Sequence, residues 1–292
     1  MPASTTQPSE LHRRVQSALD SDDPGLAFEL LRGQFAAETD AQLLNDMAVI
    51  AHAGGQTERA VHLLHAATLA DPDRDDIAEN LRVLAGEPQT AGADEPLVPH
   101  MTDAELALLR AVGARRRFVV EFGCGGSTAD WLRGPVDRVV SVESDAAWVA
   151  GLREHPDLVD AVASGRLALL HADVGPTGAW GTPEGRDHIE HWPGYWSRVW
   201  ESPEVVDAVA PVDLVFVDGR FRVACALNAA LHVGPGAVVV VHDFWKRPFY
   251  HAVLEHLEVV ATADELVVLQ HRPGFDPAGV VDDLARYALD VR

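Results

Sequence analysis

The stretch FVVEFGCGGSTADWL, residues 118–132, decides the fold. Its first residues, through Phe122, favour a buried β-strand. Gly123, Gly125 and Gly126 then turn the chain, and Ser127 and Thr128 open a helix. A strand, a glycine turn and a helix N-terminus in that order make a ligand site, because the first amides of a helix have no partner within it. Glu121 stands two residues before the first glycine, so the site carries an acid as well as amides.

Downstream the same grammar repeats. DRVVSVE, RLALLHAD, VDLVFVDG and GAVVVVHDF read as further strands, separated by helix-like stretches such as DAAWVAGLREH and RVACALNAALHV. Near-continuous Val and Leu runs mark strands covered on both faces, as in a parallel sheet. The expected class is an open, doubly wound α/β fold, in which ligands lie beyond the carboxyl ends of the strands. Those ends carry Glu121, Glu143, Asp173, Asp218 and the pair His242-Asp243. EVVATADELVVLQHR adds two more strands joined by TADE.

Upstream the pattern is helical. GLAFELLRGQFAAE, DAQLLNDMAVIAHAGG and TERAVHLLHAATLADPD place apolar residues at helical spacing, with Gly54-Gly55 as a stop and Pro72 as a terminator. A Pro-, Gly- and Ala-rich stretch near residues 86–98 marks a boundary. The division expected is a helical region over 1–90, a linker over 91–100 and an α/β domain over 101–292. In TDAELALLRAVG, Thr102 and Glu105 stand at capping-box spacing and Gly113 is expected at the C-cap.

Composition excludes several classes. The chain has 292 residues and a formal net charge of −22, which argues against nucleic acid and against an anionic membrane surface. Lys246 is the only lysine, and two cysteines give no disulfide framework. MPASTTQPSELHRRV lacks the apolar core of a signal peptide and no run reaches the length of a membrane span, so a cytoplasmic location is expected.

The ligand is narrowed by what the glycine loop lacks. The third glycine of a dinucleotide fingerprint is replaced by Thr128, and no G-K-[ST] follows for a phosphate loop. A carboxylate at Glu121 would repel a pyrophosphate and attract a cation, so a sulfonium with an ammonium group fits better. With Glu121-Phe122-Gly123-Cys124-Gly125, the chain resembles the class I S-adenosylmethionine-dependent methyltransferases. The resemblance covers roughly residues 100–272. It implies a seven-stranded Rossmann-like sheet whose last strand is antiparallel. It also implies S-adenosylmethionine as cofactor, with Glu121, Gly123, Cys124, Gly125 and Ser127 forming the loop. Glu143, followed by Ser144, would take the ribose hydroxyls. Asp173, followed by Val174, would take the adenine amino group. The segment LLNDMAVIAHAGGQTERAVHLLHAATLADPD resembles a tetratricopeptide repeat through Gly55, Ala60, Ala67 and Pro72. Such a unit leans on a neighbour, so a protein partner or a homodimer is implied as an alternative to a plain helical extension.

In that family the methyl acceptor lies over Asp218 and His242-Asp243, where catalysis is mainly in-line positioning. His242 is the candidate base if a hydroxyl loses its proton, or else a structural partner of Asp243. A catechol-type subgroup binds a divalent cation through positions that Asp218 and Asp243 could match, but its lysine base is replaced by Phe221, so metal dependence stays open. Arg220 and Arg222 would orient an anionic or polyhydroxylated substrate, or pair with a strand-end acid. The insert at 175–210 holds Trp180, Trp192, Tyr195, Trp196 and Trp200, and reads as a lid over the rim or as a docking face for the helical region. His188 and His191 flank Glu190 without a third metal ligand nearby. Ser127 is not in a hydrolase elbow, and Cys124 has no base beside it in sequence. The expected activity is methyl transfer to a hydroxyl, less readily an amine, of a small sugar-like or aromatic metabolite. Two rivals remain: aminocarboxypropyl transfer from the same cofactor, and a scaffold whose α/β domain is inert.

Overall fold

The computed structural model describes residues 41–53, 56–70, 77, 80, 81, 84, 95–183 and 185–291. The first helical stretch, residues 25–38, and Gly54, Gly55 and Pro72 lie outside the described residues, as does part of the expected linker. The chain divides into two compact units, Met1–Gln89 and Thr90–Arg292.

The first unit contains α1 (Ala41–Ala53) and α2 (Thr57–Ala70). Ala48, Ala51, Ala60 and Ala67 are buried with Met47, Leu64 and Ile77. Small residues on the facing sides let the backbones approach closely. Asn80 donates from Nδ2 to Asn45 Oδ1 at 3.0 Å, a polar tie inside this small core.

The second unit is built on a sheet ordered β3-β2-β1-β4-β5-β7-β6. Its strands are β1 (Phe118–Phe122), β2 (Arg138–Glu143), β3 (Leu167–His171), β4 (Leu214–Val217), β5 (Val238–Val241), β6 (Leu257–Ala263) and β7 (Leu266–His271). The first five pair in parallel, while β7 runs antiparallel to both β5 and β6. The expected antiparallel last strand is therefore present, inserted between β5 and β6. β1, β4 and β5 are buried along their whole length, which is why their sequences read as unbroken apolar runs rather than alternations.

Helices cover both faces: α3 (Asp103–Gly113), α4 (Gly126–Arg133), α5 (Ala146–Glu154), α6 (Val159–Ala163), the short α7 (Pro193–Ser197) and α8 (Pro203–Val206), then α9 (Arg222–His232) and α10 (Pro277–Tyr287). Successive strand residues point to opposite faces. Val120 and Phe122 join one core with α9 and α10, through Leu227 and Val280. Val119, Leu214 and Phe216 join the other, with Leu109, Trp131 and Leu152. The capping box forms as expected: Glu105 N donates to Thr102 Oγ1 at 3.2 Å, and Thr102 N donates to Glu105 Oε2 at 2.8 Å. Gly113 differs from expectation. It is the last helical residue and Ala114 is the cap; a β-carbon at Gly113 would stand 2.6 Å from the Trp131 ring, so packing explains the glycine.

Candidate active site

The β1–α4 turn is held from behind by Glu121. This carboxylate is fully buried. Oε1 accepts from Ser127 Oγ at 2.6 Å and Trp131 Nε1 at 3.2 Å; Oε2 accepts from Thr128 Oγ1 and Ser141 Oγ, each at 2.6 Å. Burial pushes the carboxyl up to about 7, against the pull of those four hydrogen bonds. Thr128 Oγ1 in turn accepts from Gly125 N at 2.9 Å. Glu121 thus fixes the loop and does not face a ligand, which corrects the expectation that its charge attracts one directly. Ser127 is turned inward by the same bond. Gly123 has a φ of +89°, and a β-carbon there would lie 2.8 Å from the Gly219 backbone after β4, so only glycine lets the β1 and β4 loops meet.

Glu143 stands on the other side of the loop, at the end of β2. Its Oε1 accepts from Ser144 N at 2.6 Å and Asp145 N at 3.1 Å, while Cys124 N reaches Oε2 at 3.4 Å. Burial raises its pKa, opposed by those amides. Trp148 Nε1 donates to Cys124 O at 2.7 Å and braces the loop further. Asp173, past β3, is exposed and accepts from Gly175 N at 3.0 Å, which holds its carboxyl below the usual range. Val174 is buried, and its carbonyl accepts from Trp192 Nε1 at 3.2 Å. Two carboxylate acceptors, Glu143 and Asp173, are therefore delivered to one rim by β2 and β3.

The ends of β4 and β5 carry a different construction, a chain of charges. His242 Nδ1 lies 3.0 Å from Asp218 Oδ1, and Nε2 lies 3.5 Å from Glu105 Oε2. Burial alone would lower the His242 pKa, but Asp218 and Asp243 outweigh it and push the ring up to about 9. Arg222, 4% exposed in its side chain, reaches Asp218 at 3.2 Å and Asp243 at 3.1 Å and donates to the His242 carbonyl at 2.6 Å. Arg247 reaches Asp243 at 3.0 Å. His242 is hence an imidazolium at neutral pH with both nitrogens engaged, which corrects its reading as a poised base. Arg222 is a structural cation rather than a substrate contact. Glu105, read in the sequence only as a cap, is a member of this network; its Oε1 also accepts from Glu265 N at 2.9 Å.

One ligand atom each from Asp218, His242 and Asp243 can be chosen within 4.8 Å of one another, the spacing of a cation site. The Arg222 guanidinium already bridges the two carboxylates, so a divalent ion would have to displace it.

The insert lies across both halves of the rim. Thr177 and Pro183 form a bridge that closes a hairpin. At its tip, the Gly181 carbonyl accepts from Ser144 Oγ at 2.8 Å. Gly181 has a φ of +66°, and a β-carbon there would collide with Ser144 Oγ and stand 2.8 Å from Glu143 Oε1. Further on, the Tyr195 ring packs 5.9 Å from Phe122 and 5.4 Å from Phe221, and its hydroxyl accepts from Arg220 N at 3.3 Å. Trp192, Tyr195 and Trp200 are buried in the core and Trp196 donates to Ala288 O. Among the described tryptophans of the insert only Trp180, 43% exposed, presents an open indole face. The aromatic residues thus serve mostly as anchors of the insert, not as walls offered to a ligand. Among the described residues four non-glycine residues adopt a left-handed backbone, and Trp180, Phe221 and Asp243 are three of them. Such strain gathers at functional sites.

A methyltransferase-like protein from Silicibacter pomeroyi is similar at 30% identity and a TM-score of 0.58, over 66% of this chain and 98% of its own. The chain belongs to this methyltransferase-like family. The methyltransferase domain shares weaker likeness with an O-methyltransferase from Bacillus cereus in complex with SAH (16% identity, TM-score 0.36, 56% of this chain and 78% of that one). It is likewise similar to an O-methyltransferase from Streptomyces achromogenes involved in tomaymycin synthesis, in complex with SAM (18%, 0.39, 59% and 82%). Likenesses of that grade carry no weight for the reaction. No family profile matches the sequence and no curated protein does.

Proposed function

We propose that the protein transfers a methyl group from S-adenosylmethionine to a hydroxyl, less readily an amine, of a small metabolite. The observation that carries this is the presentation of Glu143: a carboxylate at the end of β2, beside the glycine loop, with Oε2 held only by the long Cys124 contact. Ribose hydroxyls would donate to it, the adenine amino group to Asp173, and the backbone of the glycine loop would approach the methionine part closely. The cofactor supplies an already reactive sulfonium, so the chain's task is to bring the acceptor into line. Asp218, 29% exposed at the rim and fixed by His242 and Arg222, would receive the acceptor's N–H or O–H. The insert is the lid in this reading, its tip resting on Ser144 until the cofactor enters. Calorimetry with S-adenosylhomocysteine tests the reading. Micromolar binding that Glu143→Ala weakens supports it; a wild type that binds nothing favours an inert domain with a permanently closed rim. Aminocarboxypropyl transfer needs the same cradle and is separated by the mass added to the product.

Metal dependence is the second reading, favoured by the convergence of Asp218, His242 and Asp243. Titration of chelator-treated protein with Mg²⁺ or Mn²⁺ decides it. The helical unit we read as tetratricopeptide-like, with the alanine-rich contact between α1 and α2 as support, and as a site for a protein partner or a second copy; light scattering of the full chain tests the latter. Among the described residues no helix is long and apolar enough to cross a membrane.

A further inference from the structure

The charges of the acceptor half pair almost completely. Arg222 meets Asp218 and Asp243, Arg247 meets Asp243, and His242 meets Asp218 and Glu105. Arg220 is the exception. It leaves β4 two residues after Asp218 and lies under the Thr177–Pro183 hairpin. Its Nη1 makes one long contact, 3.4 Å to Thr182 Oγ1. Its Nε is buried with no hydrogen-bond partner at all. Among the described residues no carboxylate stands within ion-pair distance of it. Burial and the neighbouring Arg222 and Arg247 all act against its charge.

A guanidinium cannot shed its proton in a protein, so this charge is carried into the site without a salt bridge of its own, Asp218 acting on it only from a distance. The omission is pointed in a chain with 45 acidic and 23 basic residues, where a carboxylate partner was abundantly at hand. Buried unpaired donors call for an explanation, and a ligand is the one that fits a rim. A planar fork of N–H groups matches a carboxylate or phosphate, the oxyanions it binds in pairs.

We propose that Arg220 is the receptor for an anionic oxygen group, carboxylate or phosphate, on the ligand that enters beneath the hairpin. Its position beyond β4 puts that group on the acceptor. The inference rests on the reading of this rim as the substrate site, and it narrows the acceptor class to anionic metabolites. The cofactor's own amino-acid carboxylate offers the same chemistry, so the experiment separates the two sources.

Wild type, Arg220→Met and Arg220→Lys are titrated with inorganic phosphate, S-adenosylhomocysteine and 5′-methylthioadenosine, which lacks the amino-acid carboxylate. The expected result is phosphate binding to wild type that drops about tenfold or more in Arg220→Met. Arg220→Lys keeps part of it, and affinity for both nucleosides is unchanged. A drop for S-adenosylhomocysteine alone, with 5′-methylthioadenosine spared, assigns the anion to the cofactor and still supports the receptor. Thermal melts guard against misfolding. Phosphate should raise the wild-type Tm more than that of Arg220→Met, while Arg220→Met without ligand should melt no lower than wild type, since it removes a buried charge that has no salt bridge. If Arg220→Met binds all three as wild type does, or if it melts well below wild type and ligand shifts are equal, the proposal is overturned. Phosphate binding through Arg220 without nucleoside binding would leave the receptor standing and remove the methyltransferase reading instead.

Discussion

The two halves of the rim solve the same problem by different means. On the β1–β2–β3 side the acids are met by uncharged donors: Glu143 by the amides of Ser144 and Asp145, Asp173 by the amide of Gly175, Glu121 by the hydroxyls of Ser127, Thr128 and Ser141 and the indole of Trp131. On the β4–β5 side the acids are met by charges: Asp218 by His242 and Arg222, Asp243 by Arg222 and Arg247, with Glu105 of α3 on the far nitrogen of His242. Neutral partners make a rigid cradle. Charge pairs drawn from α3, α9 and the end of β5 make a surface that depends on several elements being in place together.

The sharpest way to break this contrast is Arg222→Ala. It removes the cation that Asp218 and Asp243 share, leaving each with one partner, His242 and Arg247, and breaking a buried ion pair from one side costs about 3–5 kcal/mol. A large fall in Tm is expected, and a fall under 2 °C would show the network to be ornamental. Next is pH. The folded His242 has a pKa of about 9 against about 6.5 unfolded, so its contribution is complete below pH 6.5 and disappears as pH rises through 9. The loss amounts to about 3 kcal/mol, from a shift of about two and a half pK units. Urea unfolding at pH 7 and pH 9.5 should show it in wild type and not in His242→Asn. His242→Ala should also lower turnover while cofactor affinity stays nearly intact; equal loss of both would merge the two halves.

On the cofactor side, Glu143→Ala should weaken S-adenosylhomocysteine binding about tenfold, near 1.4 kcal/mol, with little change in Tm. Unchanged affinity would break the assignment of this half. The smallest effect is expected from a chelator. With Arg222 bridging Asp218 and Asp243, chelation should leave activity and Tm where they were, and a strong loss would show that a cation replaces the guanidinium in the working enzyme.

What the sequence revealed divides by distance along the chain. The succession of strands, the glycine loop and the acids ending the strands were legible because short-range pattern specifies them. The role of Glu121 was not, since nothing in EFG tells that Ser141, one strand away, and Trp131, on the next helix, would enclose its carboxylate. Glu105 was visible as a cap but not as a partner of His242, because that contact joins residues far apart in the chain. The insert showed the same gap: five aromatic residues signalled a lid, yet Tyr195 and Trp192 are spent on anchoring against Phe221, a matter of tertiary packing.

The placement of β7 between β5 and β6 has a consequence for biosynthesis. In the turn before β7, Asp264 Oδ2 accepts from the Thr102 hydroxyl at 2.6 Å, Glu265 N donates to Glu105 Oε1 at 2.9 Å, and Glu265 O accepts from Phe244 N at 2.9 Å. A ribosome delivers these contacts after the parallel strands have emerged. A nascent chain can therefore assemble the β1–β2–β3 half of the rim early, but the β4–β5 half stays unfinished until the closing hairpin zips into the gap beside β5.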